Sequence, residues 1–306
     1  MKNSQDLFEE FIDNLSLTEV QRNDAKTKYT GVIDCLAKHF YGRNSNSDDQ
    51  FLFGSYKTKT NIRPIDDGSD VDVLFKINED TYGQYRNNPS GLLQEVRRAL
   101  KDKYTTTEEI HAWGKVVLVK FSDGHHNVEV LPALENEDNT FMIPNTENGG
   151  SWEKKFDPRK QVNSFSASNN ETRGLTRELT KVIKNWVRNT SSLRYKSYQI
   201  VTDIITFLSD TYPMGKGNSN YDEIVQSFLL YMKNRLSSND SRNNHFDTAV
   251  RRANKAVQYE REGKHIEASE EWRKMFDSHL FPKADENEHG NQDVYNFSNA
   301  PKPWSY

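Results

Sequence analysis

The segment Asp70-Val71-Asp72-Val73-Leu74-Phe75-Lys76-Ile77 limits what this chain can fold into more than any other. Its β-branched and aromatic residues predict a strand, where residues two apart share a face. Asp70 and Asp72 therefore point one way, and Val71, Val73 and Phe75 the other. One face can be buried and the other is acidic. Carboxylates held this close repel at neutral pH unless a hard cation such as Mg²⁺ bridges them, which predicts a metal site built on a sheet. Glu129, between Val128 and Val130, repeats the design, so a neighbouring strand can supply a third ligand. Upstream, Phe51-Leu52-Phe53 leads into Gly54-Ser55. A residue without Cβ lets backbone N–H groups approach an oxyanion and the hydroxyl adds a donor, which is chemistry suited to phosphates.

The surrounding pattern gives an α+β chain. Leu7, Phe11, Leu15, Val20, Tyr29, Ile33, Leu36 and Phe40 fall mostly at helical spacings. The break near Ser16–Glu19, where Thr18 can cap, predicts one short and one long helix. Lys115–Phe121 and Asn127–Leu131 read as a hairpin about Ser122-Asp123-Gly124, and Leu92–Leu100 as a helix packed across the sheet. After Pro132 and Pro144 a Gly/Asn/Ser-rich connection leads into a helical half. Leu175, Leu179, Val182, Ile183 and Trp186 mark one of its helices, and Tyr198, Val201, Ile205 and Leu208 another. Further helices are expected around Ile224–Met232, Ala249–Val257 and Ile266–Phe276, followed beyond Pro282 by an irregular tail. The expected division is residues 1–160 and 161–306.

Composition excludes several functions. No apolar run approaches the ~18 residues of a membrane span, and Met1–Asp6 lacks an apolar secretory region, so the expected location is the cytoplasm. A single cysteine, Cys35, excludes an internal disulfide framework and cysteine zinc sites, which leaves oxygen ligands for any metal. Cys35 itself reads as a buried helical residue, and His125-His126 as a pair beside a turn without a third ligand. With 41 basic and 45 acidic residues, a net charge of -4 is the wrong sign for wrapping duplex DNA. Arg177, Lys181, Lys184 and Arg188 recur at helical spacing opposite the apolar stripe, where a solvated face is the default. Ser197 and Tyr198 open the next helix, a position that favours phosphate. Tyr198 also heads an apolar row, so core packing and base stacking both fit it.

In combination, Gly54-Ser55-Tyr56-Lys57-Thr58-Lys59-Thr60, Ser69-Asp70-Val71-Asp72-Val73 and Val128-Glu129-Val130-Leu131-Pro132-Ala133 resemble the nucleotidyltransferase superfamily of DNA polymerase β, poly(A) polymerases and oligoadenylate synthases. Glu129 stands where many members carry Asp. The likeness continues through Ile183-Lys184-Asn185-Trp186, Lys196-Ser197-Tyr198, and Trp272-Arg273-Lys274-Met275-Phe276 with Phe281-Pro282. In this it is closest to bacterial cGAS/DncV-like nucleotidyltransferases. The resemblance implies a polymerase β-like core of mixed sheet and helices, a helical C-terminal domain, and an active site in the cleft between them. It implies two Mg²⁺ ions, with Mn²⁺ as a substitute, on Asp70, Asp72 and Glu129. Gly54 and Ser55 would cradle the phosphates with Thr60 in support, Lys184 and Ser197 would meet the triphosphate, and Tyr198 would carry a base. The implied activity joins ATP and a second nucleoside triphosphate into a cyclic dinucleotide or oligonucleotide, releasing pyrophosphate. In the family such signals act on a separate effector in antiphage defence (CBASS), and a regulatory protein partner can be required. Linear oligonucleotide synthesis, nucleotide addition to an acceptor, and a non-catalytic nucleotide sensor are the alternatives. With one cysteine there is no counterpart of the zinc insertion of animal cGAS, which argues against direct activation by DNA.

Overall fold

Reciprocal side-chain caps at Asn3 and Thr18 start the first two helices, α1 (Ser4–Leu15) and α2 (Glu19–Tyr41), and Gly42 in the left-handed conformation ends the second. The computed structural model describes residues 1–66, 69–107, 109–122, 125–147 and 150–285. The expected hairpin turn at Asp123-Gly124 and the tail from residue 286 onward lie outside these. Val20, placed on the apolar stripe by its spacing, is exposed, because the buried face of α2 begins only at Ala25.

The chain continues through β1 (Gln50–Leu52), α3 (Gly54–Thr58), β2 (Asp70–Ile77), α4 (Glu79–Tyr85), α5 (Pro89–Lys103), β3 (Ile110–Trp113), β4 (Val116–Val119) and β5 (Asn127–Glu135). The Gly/Asn/Ser-rich connection holds regular elements of its own. It forms β6 (Phe141–Asn145), β7 (Ser151–Phe156) and α6 (Pro158–Glu171). The seven strands make one sheet in the order β1-β2-β5-β4-β3, with β6 pairing β5 and β7 extending from β6. Only β2 and β5 run parallel among these pairs. Val71, Val73, Phe75, Val128 and Val130 pack against α2 and α5 through residues such as Val32, Leu36, Leu93 and Val96. Each such aliphatic side chain removed from water contributes about 1.5–3 kcal/mol. The opposite face carries a smaller cluster of Leu74, Leu131, Ala133, Phe141 and Ile143.

The helical half comprises α7 (Leu175–Asn189), α8 (Ser197–Thr211), α9 (Tyr221–Arg235), α10 (Asn243–Arg261) and α11 (His265–Arg273). Its core also takes in Leu7, Phe8, Phe11, Ile12 and Leu15 of α1. A boundary at residue 160 therefore falls inside α6 and separates α1 from the helices it packs on. The apolar face of α1 fits the aromatic helical core, whereas the sheet's helix-facing side is already covered by α2 and α5. Among the described residues no helix is long and apolar enough to cross a membrane.

Candidate active site

The parallel pairing of β2 with β5 sets Asp70 opposite Asn127 and Asp72 opposite Glu129. Register and pleat together put Asp70, Asp72 and Glu129 on one face, while the alternating valines are fully buried on the other. Carboxylates on adjacent strands, ~5 Å apart, repel by roughly 3 kcal/mol at an effective dielectric near 20. Burial, then the charge of Asp70, pushes Asp72 up to about 6, with Lys184 and the Ser55 backbone N–H opposing the shift. Burial, then Asp70 and Asp72, pushes Glu129 up to about 7. This face is short of positive charge.

The donor set is all carboxylate oxygen, which suits a hard divalent cation of the Mg²⁺ type. Among the described residues no three His, Cys, Asp or Glu side chains stand gathered as a ready-made cage.

Gly54 opens α3 with φ +62, and a Cβ there would lie 2.8 Å from the Asp72 Cγ and closer still to Oδ2. The turn is thus packed directly on the carboxylate, and both conformation and space demand glycine. Phe53 supplies no side-chain cap to α3, and the Ser55 N–H turns to the Asp72 carboxylate instead. Thr60 closes the turn from below. Its N–H donates to the Ser55 carbonyl (2.9 Å) and its buried hydroxyl meets Thr58 Oγ1 (2.9 Å). The Thr58 hydroxyl donates in turn to the Gly54 carbonyl at 3.0 Å.

These groups open into a cleft of about 720 Å³ between the sheet and the helical half. Gly54, Ser55, Thr60, Asp70 and Asp72 line one side, Lys184, Ser197 and Tyr198 the other. Glu129 stands beside the two aspartates on the sheet without lining the cleft itself. Lys184 Nζ donates to the Thr60 carbonyl at 3.2 Å; burial lowers its pKa to about 8, with Asp72 opposing and Arg188 adding to the shift. Tyr198 is 62% exposed. The buried face of α8 is Ile200, Ile204, Phe207 and Leu208, whereas Tyr198, Val201 and Ile205 line the cleft. Core packing, one of the two roles its spacing allowed, is therefore excluded for Tyr198.

Most of the basic row of α7 is not a solvated face, and only Arg188 at its end is exposed. Arg177 Nε donates to the Thr58 carbonyl (3.2 Å), Lys181 Nζ to Ser16 Oγ (2.7 Å), and Arg188 Nη1 to the Pro64 carbonyl (2.8 Å). Lys181 is only 8% exposed. The helix lies at the seam of two layers, so its polar side grips the segment that follows the Gly-Ser turn. Of the bystanders, Cys35 is buried, and His126 is buried against the ring of Tyr56.

Sequence reasoning missed the α6 wall of the cleft, including Lys160, Gln161 and Phe165. The available signal was Asp157-Pro158, where the Asp157 side chain accepts from the Lys160 N–H at 2.8 Å and proline takes the first turn.

Residues 1–169, more than half of the chain, match the Second Messenger Oligonucleotide or Dinucleotide Synthetase domain. The chain belongs to this synthetase family. A probable cyclic nucleotide synthase of Bacillus cereus (strain VD146) is 24% identical over 272 residues, covering 73% of this chain and 80% of the relative. The GTP-bound form of Vibrio cholerae DncV superposes with a TM-score of 0.67 at 14% identity, covering 92% of this chain and 99% of that one. The structure of E. coli MS115-1 CdnC with ATP gives 0.64 at 17% identity, covering 91% and 99%. The synthetase is a nucleotidyltransferase with the cGAS/DncV-like fold, its polymerase β-type core joined to a helical C-terminal region.

Proposed function

We propose that this synthetase joins nucleoside triphosphates into a cyclic dinucleotide or cyclic oligonucleotide, with one pyrophosphate released per bond. The observation that carries the reading is the β2–β5 register, which sets Asp72 against Glu129 on the face that also bears Asp70, beside a turn with no room for a Cβ at residue 54. GTP and ATP in the DncV and CdnC structures support nucleoside triphosphates as substrates here.

Asp70, Asp72 and Glu129 would hold two Mg²⁺ ions, or Mn²⁺ in their place. Bound there, the cations supply charge neutralisation of the triphosphate and a lowered pKa for the attacking hydroxyl. The Gly54-Ser55 turn offers the Ser55 hydroxyl to the distal phosphates, and Thr60 fixes that turn. Lys184 and the start of α8 at Ser197 add positive potential, and the exposed ring of Tyr198 gives a base a flat apolar surface. The acceptor hydroxyl oxygen bonds to the α-phosphorus, and the bond from that phosphorus to the bridging oxygen breaks. Its electron pair leaves with pyrophosphate, and the hydroxyl proton passes to water. A second such step within the linear product closes the ring. Signalling to a separate effector in antiphage defence, under a regulatory partner, follows from the family resemblance.

Purified protein given Mg²⁺ and all four triphosphates should form phosphatase-resistant products identifiable by mass spectrometry. The Asp70→Ala/Asp72→Ala double variant, with an unchanged circular dichroism spectrum, should form none. Equal yield from that variant would falsify the assignment of the carboxylate site.

A further inference from the structure

The face that bears the carboxylates continues across the sheet beyond Glu129. Glu129 of β5 stands opposite Leu118 of β4, and Leu118 opposite His111 of β3. Paired residues on neighbouring strands point to the same side, so Asp72, Glu129, Leu118 and His111 form one row over four strands, with Trp113 and its partner Val116 one step along. The alternating residues Ile110, Val117 and Val119 are fully buried against the helices, which fixes the side that His111, Leu118 and Trp113 take. β4 is aliphatic throughout, Val116-Val117-Leu118-Val119. A strand with one face in water alternates apolar and polar residues, and an unbroken apolar run belongs to a strand covered on both faces. Here the second face is open. Trp113 is 52% exposed, His111 is exposed, and their rings lie 6.4 Å apart. Ion pairs of Lys120 with Glu109 (3.2 Å) and of Lys115 with Glu153 flank this shelf, which is itself aromatic and apolar.

The direction of the reaction says what covers it. In an in-line displacement the attacking oxygen and the departing pyrophosphate lie on opposite sides of the α-phosphorus. The Gly54-Ser55 turn, on the proposed reading the seat of the distal phosphates, follows β1, and β1 pairs with β2 on the side away from β5. The attacking hydroxyl must then arrive from the β5 side, and the surface met there is the shelf of β4 and β3. Strands lie ~4.8 Å apart, which puts the His111 backbone roughly 10 Å from that of Glu129. One nucleotide bridges such a span from its ribose hydroxyl to its base, and an exposed indole offers that base a face on which to stack.

We propose that this shelf seats the acceptor nucleotide, its base stacked on Trp113 beside His111, while the donor base lies on Tyr198. The direction of approach rests on the proposed nucleotidyl transfer; the stacking surface does not. Titration calorimetry of the full chain tests it, with Mg²⁺ and a saturating non-hydrolysable ATP analogue filling the donor side and AMP, GMP, CMP and UMP each titrated in turn. A monophosphate carries no leaving group and so reports the acceptor side alone. Trp113 is exposed, and its replacement leaves the core intact. Trp113→Ala should weaken the monophosphate that wild type binds best by about tenfold or more, and Trp113→Phe should keep most of the affinity. The ATP analogue, titrated by itself, should stay within about twofold of wild type in both. Three results overturn the proposal: no monophosphate bound by the wild type, equal affinity in Trp113→Ala, or equal weakening of monophosphate and analogue, which would mean a general distortion of the sheet. Monophosphate binding lost in Trp113→Ala, in a protein that forms no phosphodiester, sinks the synthesis reading and leaves the shelf standing. Full synthesis by Trp113→Ala with an unchanged KM for the second triphosphate does the reverse.

Discussion

Gly54 shows how a single residue can couple two parts of the site. Its left-handed φ alone costs an L-residue about 1–2 kcal/mol, and its missing Cβ is what lets the turn sit on the Asp72 carboxylate. Gly54→Ala should therefore lose about 1–2 kcal/mol of unfolding free energy in urea titrations and at least about 100-fold in turnover, because the carboxylate must move. Near-normal turnover would mean that the close packing has no role in the reaction. Gly54-Ser55 and the two aspartates were legible in the sequence only together, as an ordinary Gly-Ser turn followed by carboxylates at a period of two. The sequence could not say that the glycine abuts Asp72, since the approach depends on how β1 pairs with β2. Asp222 is a polar residue of another sort, which no motif marked. It is 2% exposed, its Oδ1 has no partner among the described residues, and burial, then Glu260 and Glu223, raises its pKa to about 6. A carboxyl with a raised folded pKa binds its proton more tightly when folded. The resulting stability penalty grows as pH climbs from the ordinary value of 3.8 to about 6 and is complete above that. Asp222→Asn should be more stable than wild type by about 3 kcal/mol at pH 7, with the gap closing below pH ~4 as the unfolded carboxyl also protonates. An equal gap at both pH values would mean that the effect is packing rather than ionisation.

At the scale of elements, α7 and α8 show where a periodic pattern misleads. The spacing of Arg177, Lys181, Lys184 and Arg188 correctly gave one polar face of a helix, but whether such a face meets water or a second layer is decided by tertiary packing. Here it meets the segment from Thr58 to Asp66 and the end of α1. For α8 the row Tyr198, Val201, Ile205 is apolar because it lines a cleft, while the true core row lies beside it. An apolar stripe and an apolar binding wall look alike in one dimension. α6 was missed for a different reason, since its Ser- and Asn-rich stretch has weak helix propensity and is held by its cap and by Val162 and Phe165 in the core. The α7 contacts carry a prediction of their own. Arg177 holds the Thr58 carbonyl, and Thr58 holds Gly54, so Arg177 is a positioning residue for the phosphate turn. Arg177→Met should raise KM for the triphosphates about tenfold, the worth of one charge-assisted hydrogen bond, with kcat changed less and Arg177→Lys recovering part of the loss. An equal fall in kcat with KM untouched would argue for a direct role in the reaction instead.

For the molecule as a whole, the question is what holds the helical half at the distance from the sheet that the cleft requires. α1 answers it from the far end of the sequence. Its Leu15 carbonyl accepts the Arg63 N–H (2.9 Å) in the segment beyond the Gly-Ser turn, and Ser16, just past it, accepts from Lys181 of α7. Its other side is aromatic. The Phe8 ring lies 5.1 Å from those of both Trp272 and Phe281, and Phe11 lies 4.9 Å from Phe276. Trp272, Phe276 and Phe281 belong to the carboxy-terminal motifs that carried the resemblance furthest from the catalytic core, and their contacts supply a physical reason for them: they form the seat of the first helix. No local pattern reveals a pairing of residues more than 250 apart in the chain, so a boundary drawn at residue 160 divided what packing joins. Phe8→Ala removes a fully buried ring from this seat and should cost about 3–5 kcal/mol. Hydrogen exchange should quicken first in α10 and α11, with β2 and β5 still protected, and turnover should fall although Asp70, Asp72 and Glu129 are untouched. Should exchange quicken in the sheet and leave α10 and α11 slow, α1 would belong energetically to the sheet core, and the width of the cleft would need another cause.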